Sequence, residues 1–279
     1  MPELPEVEVT RLGLLPHLPG QTVTAVFWSG KRLRLPMPVT ALEEEIRGGT
    51  VASLDRRAKY LLVRMEQGSV LVLHLGMTGK LGIFPQNSAR KPHDHLCLSL
   101  ANGFELRFND ARRFGSVMVW PKARAEHLEE AFSRSQGIEP FGPDFTAENL
   151  LRLAEGRRQP VKLLLMDAKI ISGIGNIYAN ETLFAAGIHP QTPAGSLNAA
   201  QWRRVADCAV AILHRAIAAG GSTISDFLGS SGQPGHFQLQ LAVYGRQNQP
   251  CPSCGEKICK TLLGGRASFF CPHCQPLPP

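Results

Sequence analysis

The chain has 279 residues, of which 43% are hydrophobic, and its 30 Lys and Arg outnumber its 23 Asp and Glu to give a formal net charge of +7. This length and apolar content suit two domains with ordinary cores, and the excess of cations favours a polyanionic partner. The residues after Met1 are acidic and lack the apolar core of a signal peptide, and no apolar run approaches the ~20 residues that span a bilayer. We therefore expect a soluble, intracellular protein without a membrane partner.

The first half of the chain predicts one short helix followed by strands. The helix runs from Pro5 to Leu15, with Glu6 and Glu8 at its positive end. The apolar runs predicted as strands are Tyr60–Met65, Ser69–Leu75, Leu96–Leu100, Phe104–Phe108 and Val117–Trp120. Asn102-Gly103, between two of them, is a strong signal for a hairpin with a two-residue turn. Several short strands with such turns are typical of an antiparallel sandwich or barrel.

The second half predicts helices. Gly137, Pro140, Gly142 and Pro143 interrupt the strand pattern and mark the best linker candidate. The helices predicted beyond it are Ala147–Glu155, Pro160–Asp167, Asn176–Ala186 and a longer one that begins with an Asn198/Gln201 capping box and buries Trp202, Val205, Ala209, Ile212 and Ala216. The chain therefore reads as an α+β protein with a β-rich first domain and a helical second domain.

Two Cys-x-x-Cys pairs near the end of the chain predict a metal site. Cys251-Pro-Ser-Cys254 and Cys271-Pro-His-Cys274 are separated by sixteen residues, a spacing that places four thiolates around one tetrahedral Zn²⁺. The alternatives are idle thiols or disulfides. A Gly-Gly pair between the knuckles predicts the turn of a β-hairpin with Arg266 at its tip, which suits entry into a nucleic-acid groove. The other three cysteines, Cys97, Cys208 and Cys259, are expected to be buried or idle thiols.

The segment Ile171-Ser-Gly-Ile-Gly-Asn-Ile-Tyr178 lies between two predicted helices. Its glycines and the following helix N-terminus suit a phosphate, although the motif alone fits a plain corner between helices equally well. The zinc hairpin and the basic charge favour the phosphate interpretation.

The N-terminus offers a nucleophile. Removal of Met1 before the small residue Pro2 would expose a secondary amine with a pKa near ~8, lowered further by a neighbouring helix N-terminus. Such an amine attacks an aldehydic carbon to form an iminium, which is an electron sink. Glu3 beside it could shuttle protons, and Glu6, one helical turn further on, is a further candidate catalytic residue. From these residues alone, an ordinary N-terminus is the more common outcome.

Segments distributed in order along the chain resemble the formamidopyrimidine-DNA glycosylases, the family shared with endonuclease VIII. They are Met1-Pro-Glu-Leu-Pro-Glu-Val-Glu8, Arg56-Arg-Ala-Lys59-Tyr, His74-Leu-Gly-Met77-Thr-Gly79, His93-Asp-His95, Asp110-Ala-Arg112-Arg-Phe114-Gly115, Leu165-Met-Asp167, Gly173-Ile-Gly-Asn176-Ile-Tyr-Ala-Asn-Glu181, Val243-Tyr-Gly-Arg246 and Gly265-Arg266. The resemblance implies an enzyme that excises damaged bases from double-stranded DNA and cleaves the abasic strand.

The resemblance also implies roles for individual residues. Pro2 attacks the sugar C1′, Glu3 is the general acid/base, Lys59 donates a proton in β-elimination and Arg266 serves δ-elimination. An exposed triad that fills the void left by the flipped nucleotide maps onto Met77, Arg112 and Phe114, for which sandwich core is the alternative. The positions implied for DNA backbone contacts are His74, His93, Arg113, Arg157, Arg158, Lys162 and Asn176. The segment Ser222–Phe237 corresponds to the loop that covers the flipped base.

The implied architecture is an N-terminal catalytic β-sandwich over residues 1–132, a linker over 133–150, a helix-two-turn-helix domain over 151–246 and a zinc finger over 247–279. We expect one structural zinc, a monomer, and a place in the cytoplasm or at the nucleoid. Pro5-Glu-Val-Glu8 favours the branch that takes oxidised purines, such as 8-oxoguanine and formamidopyrimidines. The alternatives are the endonuclease VIII branch, which takes oxidised pyrimidines, and a zinc-hairpin protein that binds damaged DNA without catalysis.

Overall fold

The structure is a computed structural model that describes residues 2–220 and 241–277. The described residues form two compact units, of which the first runs to Phe132 and the second begins at Ser133. The predicted base-covering loop, Ser222–Phe237, lies outside the described residues. Across the two described ranges, no helix combines the length and the apolar character needed to cross a bilayer.

The first unit is a sandwich of two antiparallel four-stranded sheets, as predicted. Its strands are β1 (Val23–Trp28), β2 (Val51–Arg57), β3 (Tyr60–Met65), β4 (Val70–His74), β5 (Lys80–Pro85), β6 (Asp94–Leu100), β7 (Phe104–Asn109) and β8 (Ser116–Trp120). One sheet has the order β1-β6-β7-β5 and the other β2-β3-β4-β8. Its helices are α1 (Leu4–Leu14) and α2 (Val39–Glu45), with α3 (Leu128–Ser135) at the junction with the second unit.

The core of the sandwich follows from the alternation of side chains along each strand. Leu54, Leu61 and Leu73 from one sheet join Leu98 and Leu106 from the other in a single cluster, and each is at most 3% exposed. Burial of each such side chain contributes about 1.5–3 kcal/mol. The cluster therefore fixes the ends of the strands, from which the functional loops project.

The second unit contains α4 (Ala147–Ala154), α5 (Val161–Met166), α6 (Asn176–Ala185) and α7 (Ala199–Ala218), followed by the hairpin strands β9 (Cys259–Leu263) and β10 (Arg266–Phe270). The predicted capping box of α7 is present, since Asn198 and Gln201 each accept the other's backbone N–H at 2.9 Å. The five apolar side chains predicted for its inner face are all buried.

Three local expectations need correction. The β6–β7 connection has three residues, 101–103, because Ser99 pairs with Glu105 and Gly103 takes a φ of 84° beyond a tight turn. Pro160 caps α5 instead of occupying its first helical position. Strands β1, β2 and β5 were not predicted; β5 contains Gly82 and Pro85, two residues that weaken the strand signal.

Candidate active site and nucleic-acid interface

The N-terminal residues are held by a reciprocal cap at the start of α1. Glu3 is the N-cap, and its side chain accepts the backbone N–H of Glu6. In return, Glu6 Oε2 accepts the Glu3 N–H at 2.9 Å. Glu6, predicted among the catalytic residues, is 5% exposed and contacts Glu3. The structure thus gives Glu6 a positioning contact, while Pro2 is half-buried beside the positive end of the helix.

Lys59 lies in the β2–β3 turn, which is tied to α1 through one arginine. Arg56 donates from Nε to Glu8 Oε2 and from Nη1 to the carbonyl oxygen of Ala58, both at 3.0 Å. Burial would raise the pKa of Glu8, but hydrogen bonds and charge from Arg11 and Arg56 bring it below its usual value. The helix that follows Pro2 is therefore linked through Arg56 to the turn that carries Lys59.

His74, at the end of β4, is held neutral. Burial, followed by the positive charges of Lys59 and Arg34, lowers its pKa to about 4. The Gly76 N–H donates to its Nδ1 at 3.0 Å, so the proton of the neutral ring is on Nε2. His74 thus presents a neutral N–H donor near Lys59.

Two neighbouring loops carry the predicted triad. Met77 is 39% and Phe114 45% exposed, which excludes the sandwich-core alternative for both. The Arg112 guanidinium lies 4.9 Å from the centroid of the Phe114 ring. The backbones of the two loops are in contact, because a side chain at Gly76 would clash with the main chain of Phe114. The structure therefore brings an apolar surface and a cation together at one exposed edge.

A buried carboxylate that the sequence reasoning missed joins these loops. Asp110 is fully buried; its Oδ1 accepts from Thr78 Oγ1 at 2.5 Å and its Oδ2 from the Gly115 N–H at 2.7 Å. The Arg112 N–H donates to Thr78 Oγ1 at 3.1 Å. An aspartate that opens a short Gly-terminated loop was the available signal, because Asp commonly accepts hydrogen bonds from nearby backbone.

His93 and Arg113 lie beside a cleft also lined by Ser29, Lys31 and His95. Both are exposed and take a positive φ, 73° and 59°, which costs about 1–3 kcal/mol in a non-glycine residue. His95 Nε2 donates to the Asp110 carbonyl oxygen at 3.1 Å, and its Nδ1 pairs with Ser29 Oγ at 2.8 Å. Burial lowers the pKa of His95. Two cations, Lys31 and Arg113, and the imidazoles of His93 and His95 thus line one cleft, an arrangement that suits a phosphate.

Arg266 is exposed at the tip of the second unit's hairpin, as predicted. Leu263 pairs with Arg266, so the turn consists of Gly264 and Gly265 alone. Their φ values of 54° and 73° are both positive, as a two-residue type I′ turn requires, and glycine adopts them without strain.

Lys162 differs from its expected role as a phosphate contact. It is fully buried, and its ammonium donates to the Ala267 carbonyl oxygen at 2.8 Å and to Ser268 Oγ at 2.6 Å. The Asn176 amide donates to the same Ala267 oxygen at 3.1 Å. A buried ammonium presents no surface to a DNA backbone, so in this conformation Lys162 supports the strand that carries Arg266.

Arg157 and Arg158 are exposed in the loop after α4. Arg157 Nε donates to the Leu153 carbonyl oxygen at 2.7 Å, which holds its guanidinium at the end of the helix. Both positions are compatible with contact to a polyanion.

The four predicted ligands form a metal site. The Sγ atoms of Cys251, Cys254, Cys271 and Cys274 all lie within 4.8 Å of one another, with 3.9 Å between the first and last and 3.5 Å between the middle two. Tetrahedral Zn–S bonds of about 2.3 Å place thiolates about 3.8 Å apart, so the geometry fits zinc. The Ser253 N–H points at Cys251 Sγ at 3.4 Å, which stabilises a thiolate. The protein has one structural zinc site, whose four ligand positions are all cysteines.

Two further polar residues of α6 join the helices to residues 242–244 and to the zinc hairpin. Glu181 accepts the backbone N–H groups of Ala242, Val243 and Tyr244 at 2.8–3.0 Å. Asn180 Oδ1 accepts the Phe269 N–H of β10 at 2.7 Å. Polar residues at buried positions of an apolar helix were the only sequence signal for these contacts.

Comparison with known proteins covers almost the whole chain. Residues 1–117 match the formamidopyrimidine-DNA glycosylase N-terminal domain, residues 136–228 the formamidopyrimidine-DNA glycosylase H2TH domain, and residues 248–277 a zinc finger found in FPG and IleRS. A formamidopyrimidine-DNA glycosylase of Alkalilimnicola ehrlichii is 47% identical over 281 residues, which cover 99% of this chain and 100% of that protein.

Solved structures of Lactococcus lactis Fpg are also similar. A variant in complex with Fapy-dG containing DNA has a TM-score of 0.89 at 31% identity and covers 99% of this chain and 100% of its own. The complex with abasic-site DNA has a TM-score of 0.88 at 30% identity with the same coverage. The chain therefore belongs to the formamidopyrimidine-DNA glycosylase family, and it is a base-excision repair enzyme that acts on damaged DNA.

Proposed function

We propose that Pro2 is the nucleophile with which this enzyme excises oxidised purines from duplex DNA, and that the enzyme then cleaves the abasic strand by β,δ-elimination. The observation that carries the proposal is the capped N-terminus, in which Glu3 is fixed by Glu6 directly beside Pro2. Once Met1 is removed, the Pro2 amine lies at the positive end of α1, which disfavours its protonated form.

The first chemical step is displacement of the base. The nitrogen lone pair of Pro2 forms a bond to C1′, and the electrons of the glycosidic bond leave with the base, which takes up a proton. The Pro2 nitrogen gives up its proton, which balances the one taken up by the base, and its freed lone pair forms the second C–N bond as the bond from C1′ to the ring oxygen breaks. The ring oxygen keeps the electrons of that bond and takes a proton from Glu3, which makes it a hydroxyl. The result is an iminium between Pro2 and C1′.

Strand cleavage follows from that iminium. It acidifies the C2′ hydrogen, whose loss expels the 3′ phosphate, and a second elimination expels the 5′ phosphate. Lys59, which follows Ala58 in the turn that Arg56 joins to α1, serves as proton donor in the first elimination. Arg266 serves the second from its exposed turn.

The exposed triad supplies the energy for base extrusion. Unstacking a base costs a few kcal/mol, which inserted side chains must offset. Met77 and Phe114 provide apolar surface, and Arg112 provides donors for the partner base left without its pair.

Cationic and neutral donors hold the DNA backbone. In the first unit these are His74, His93 and Arg113; in the second they are Arg157, Arg158 and Asn176. Within the second unit, Lys162 contributes by supporting the strand that carries Arg266. Such contacts set register without reading sequence.

The bound zinc maintains the hairpin, and no step of the reaction passes through it. Its four cysteine ligands leave no open position for water or substrate. Its contribution is therefore to the placement of Arg266.

The proposed domain limits are 1–132 for the catalytic sandwich, 133–150 for the linker, 151–246 for the helix-two-turn-helix domain and 247–279 for the zinc finger. Activity on chromosomal DNA would place the enzyme at the nucleoid.

A lesion panel tests the substrate assignment. Duplexes with 8-oxoguanine opposite cytosine, a formamidopyrimidine and thymine glycol are compared for base release under single-turnover conditions. We expect faster release of the two purine lesions. Preferential release of thymine glycol would assign the endonuclease VIII specificity instead, and binding without release by protein whose N-terminal Pro2 is verified by mass would show a non-catalytic protein.

A further inference from the structure

The loops that carry the exposed triad have little apolar packing of their own. Met77 and Phe114 are each more than a third exposed, so the positions of their side chains depend on the loop backbones. The backbones are joined through Asp110, whose carboxylate receives one donor from each loop. We infer that Asp110 and Thr78 are positioning residues that hold the triad in the arrangement needed to enter the base stack. This inference rests on the insertion role proposed above.

The direction of each hydrogen bond in the link is determined. Asp110 can only accept, so the Thr78 hydroxyl must donate to it, and that hydroxyl is then available to accept the Arg112 N–H. The other carboxylate oxygen accepts the Gly115 N–H, and the Asp110 carbonyl oxygen accepts from His95. Bonds to an ionised acceptor are roughly twice as strong as neutral ones. The carboxylate thus anchors both ends of the 110–115 loop and one point of the facing loop.

The link matters because side chains that are ordered before they meet the DNA insert at a lower free-energy cost. A preorganised surface avoids the entropy cost of ordering loops on binding. The contact between the Gly76 and Phe114 backbones leaves no room for either loop to shift toward the other. Loss of the link should therefore let the loops separate, which lowers the rate of extrusion and leaves the chemical residues in place.

The test compares Thr78→Val with Thr78→Ser. Valine has nearly the same shape but no hydroxyl, so Asp110 Oδ1 and the Arg112 N–H both lose their partner, whereas serine keeps both bonds. We expect Thr78→Val to slow excision of 8-oxoguanine from a paired duplex about tenfold or more. Cleavage of a pre-formed abasic site, and excision by Thr78→Ser, should stay close to wild type.

A double-mutant cycle separates positioning from general destabilisation. If Thr78 acts through the triad, Thr78→Val should add little to the loss already caused by Phe114→Ala, because contacting residues are not additive when one acts through the other. A 2-aminopurine placed next to the lesion reports unstacking directly, and Thr78→Val should slow that fluorescence phase. Full additivity, or an unchanged unstacking phase, would overturn the inference.

Phe114→Ala is also the reference for the proposed insertion role. If Phe114→Ala selectively impairs excision and Thr78→Val does not, the positioning inference is wrong and the insertion proposal stands. If Phe114→Ala loses excision and abasic cleavage equally, the insertion proposal fails and the inference fails with it. If Thr78→Val lowers the melting temperature, Asp110→Asn is measured in the same assays. Its amide oxygen can accept the Gly115 N–H, but the side chain cannot accept a hydrogen bond from both loops. Equal losses of excision and abasic-site cleavage in Asp110→Asn would then overturn the inference.

Discussion

The triad loops and the zinc hairpin carry the side chains proposed to contact DNA, but they are stabilised in different ways. The hairpin is held by four thiolates, by hydrogen bonds that Lys162 and Asn176 donate to β10, and by one that Asn180 accepts from it. The triad loops depend on the buried carboxylate of Asp110 and on the sandwich beneath them. Loss of the metal should therefore remove one DNA-contacting surface and leave the other folded.

Zinc removal should cause the largest loss of function. Structural zinc contributes about 10–16 kcal/mol in small zinc modules, so chelation should unfold the hairpin and abolish specific binding of lesion duplex. Circular dichroism should still show the β-sandwich. Cys259→Ser is the matched control, because this thiol lies on the hairpin outside the ligand cluster and its loss should leave zinc content unchanged. Normal affinity in verified metal-free protein would contradict a structural role.

Glu3→Gln should have the second largest effect. The amide keeps the size of the side chain but offers no titratable proton, so base release should fall about 10²–10⁴-fold while duplex affinity stays near wild type. Glu6→Gln is the comparison, because its amide oxygen can still accept the Glu3 N–H, and it should lose much less. A loss for Glu6→Gln as large as that for Glu3→Gln would return Glu6 to the catalytic residues.

Substitutions in the triad should affect two substrates to different extents. Arg112→Ala or Phe114→Ala should slow excision of a stacked lesion about tenfold or more, with a much smaller effect on cleavage of a pre-formed abasic site, where there is little stacking to disrupt. Single-turnover rates on matched duplexes give the ratio. Equal losses on both substrates would indicate that these residues support the fold instead.

Arg113→Ala should give a smaller and less specific loss. As a phosphate contact, Arg113 should weaken binding to damaged and undamaged duplex alike and reduce the slope of log affinity against log salt by about one. Titrations at several salt concentrations measure this. A loss confined to damaged DNA would assign Arg113 to lesion recognition.

The smallest effect should be the pH response of His74. Its pKa in the fold is about 4, against 6.5 for an ordinary histidine, so the unfolded chain binds a proton that the folded ring does not. Its contribution to stability should be complete above pH 6.5 and should decline as the pH falls toward 4. Denaturant titrations of wild type and His74→Gln at pH 7 and pH 5 should show a steeper decline for wild type.

The features that were predicted best from the sequence are those whose residues have a fixed spacing or period. The zinc cysteines, the capping box of α7 and its buried face each follow from positions a few residues apart. The apolar runs and turn residues predicted an antiparallel sandwich or barrel, and the resemblance implied the sandwich. For Pro2, Glu3 and the triad, the resemblance supplied roles that the residue types alone left open.

Contacts between distant residues were beyond this reasoning. The Asp110 link to Thr78, the Arg56 bridge from Glu8 to the Lys59 turn and the burial of Lys162 against Ala267 join positions 32 to 105 residues apart. No local pattern distinguishes such a polar residue from one on the surface. Each became visible only when the fold placed its partner beside it.

The identity of the nucleophile is the central claim, and borohydride trapping tests it most directly. Reduction of the reaction intermediate should give a stable protein–DNA cross-link, and proteolysis should show the DNA on the N-terminal peptide at Pro2. Lys59 is the rival nucleophile, since a lysine amine also forms Schiff bases. Protein that retains Met1 should fail to cross-link at the normal rate, because Pro2 is then an amide. DNA attached to the peptide that contains Lys59, or normal cross-linking by the Met1-retaining protein, would contradict the account.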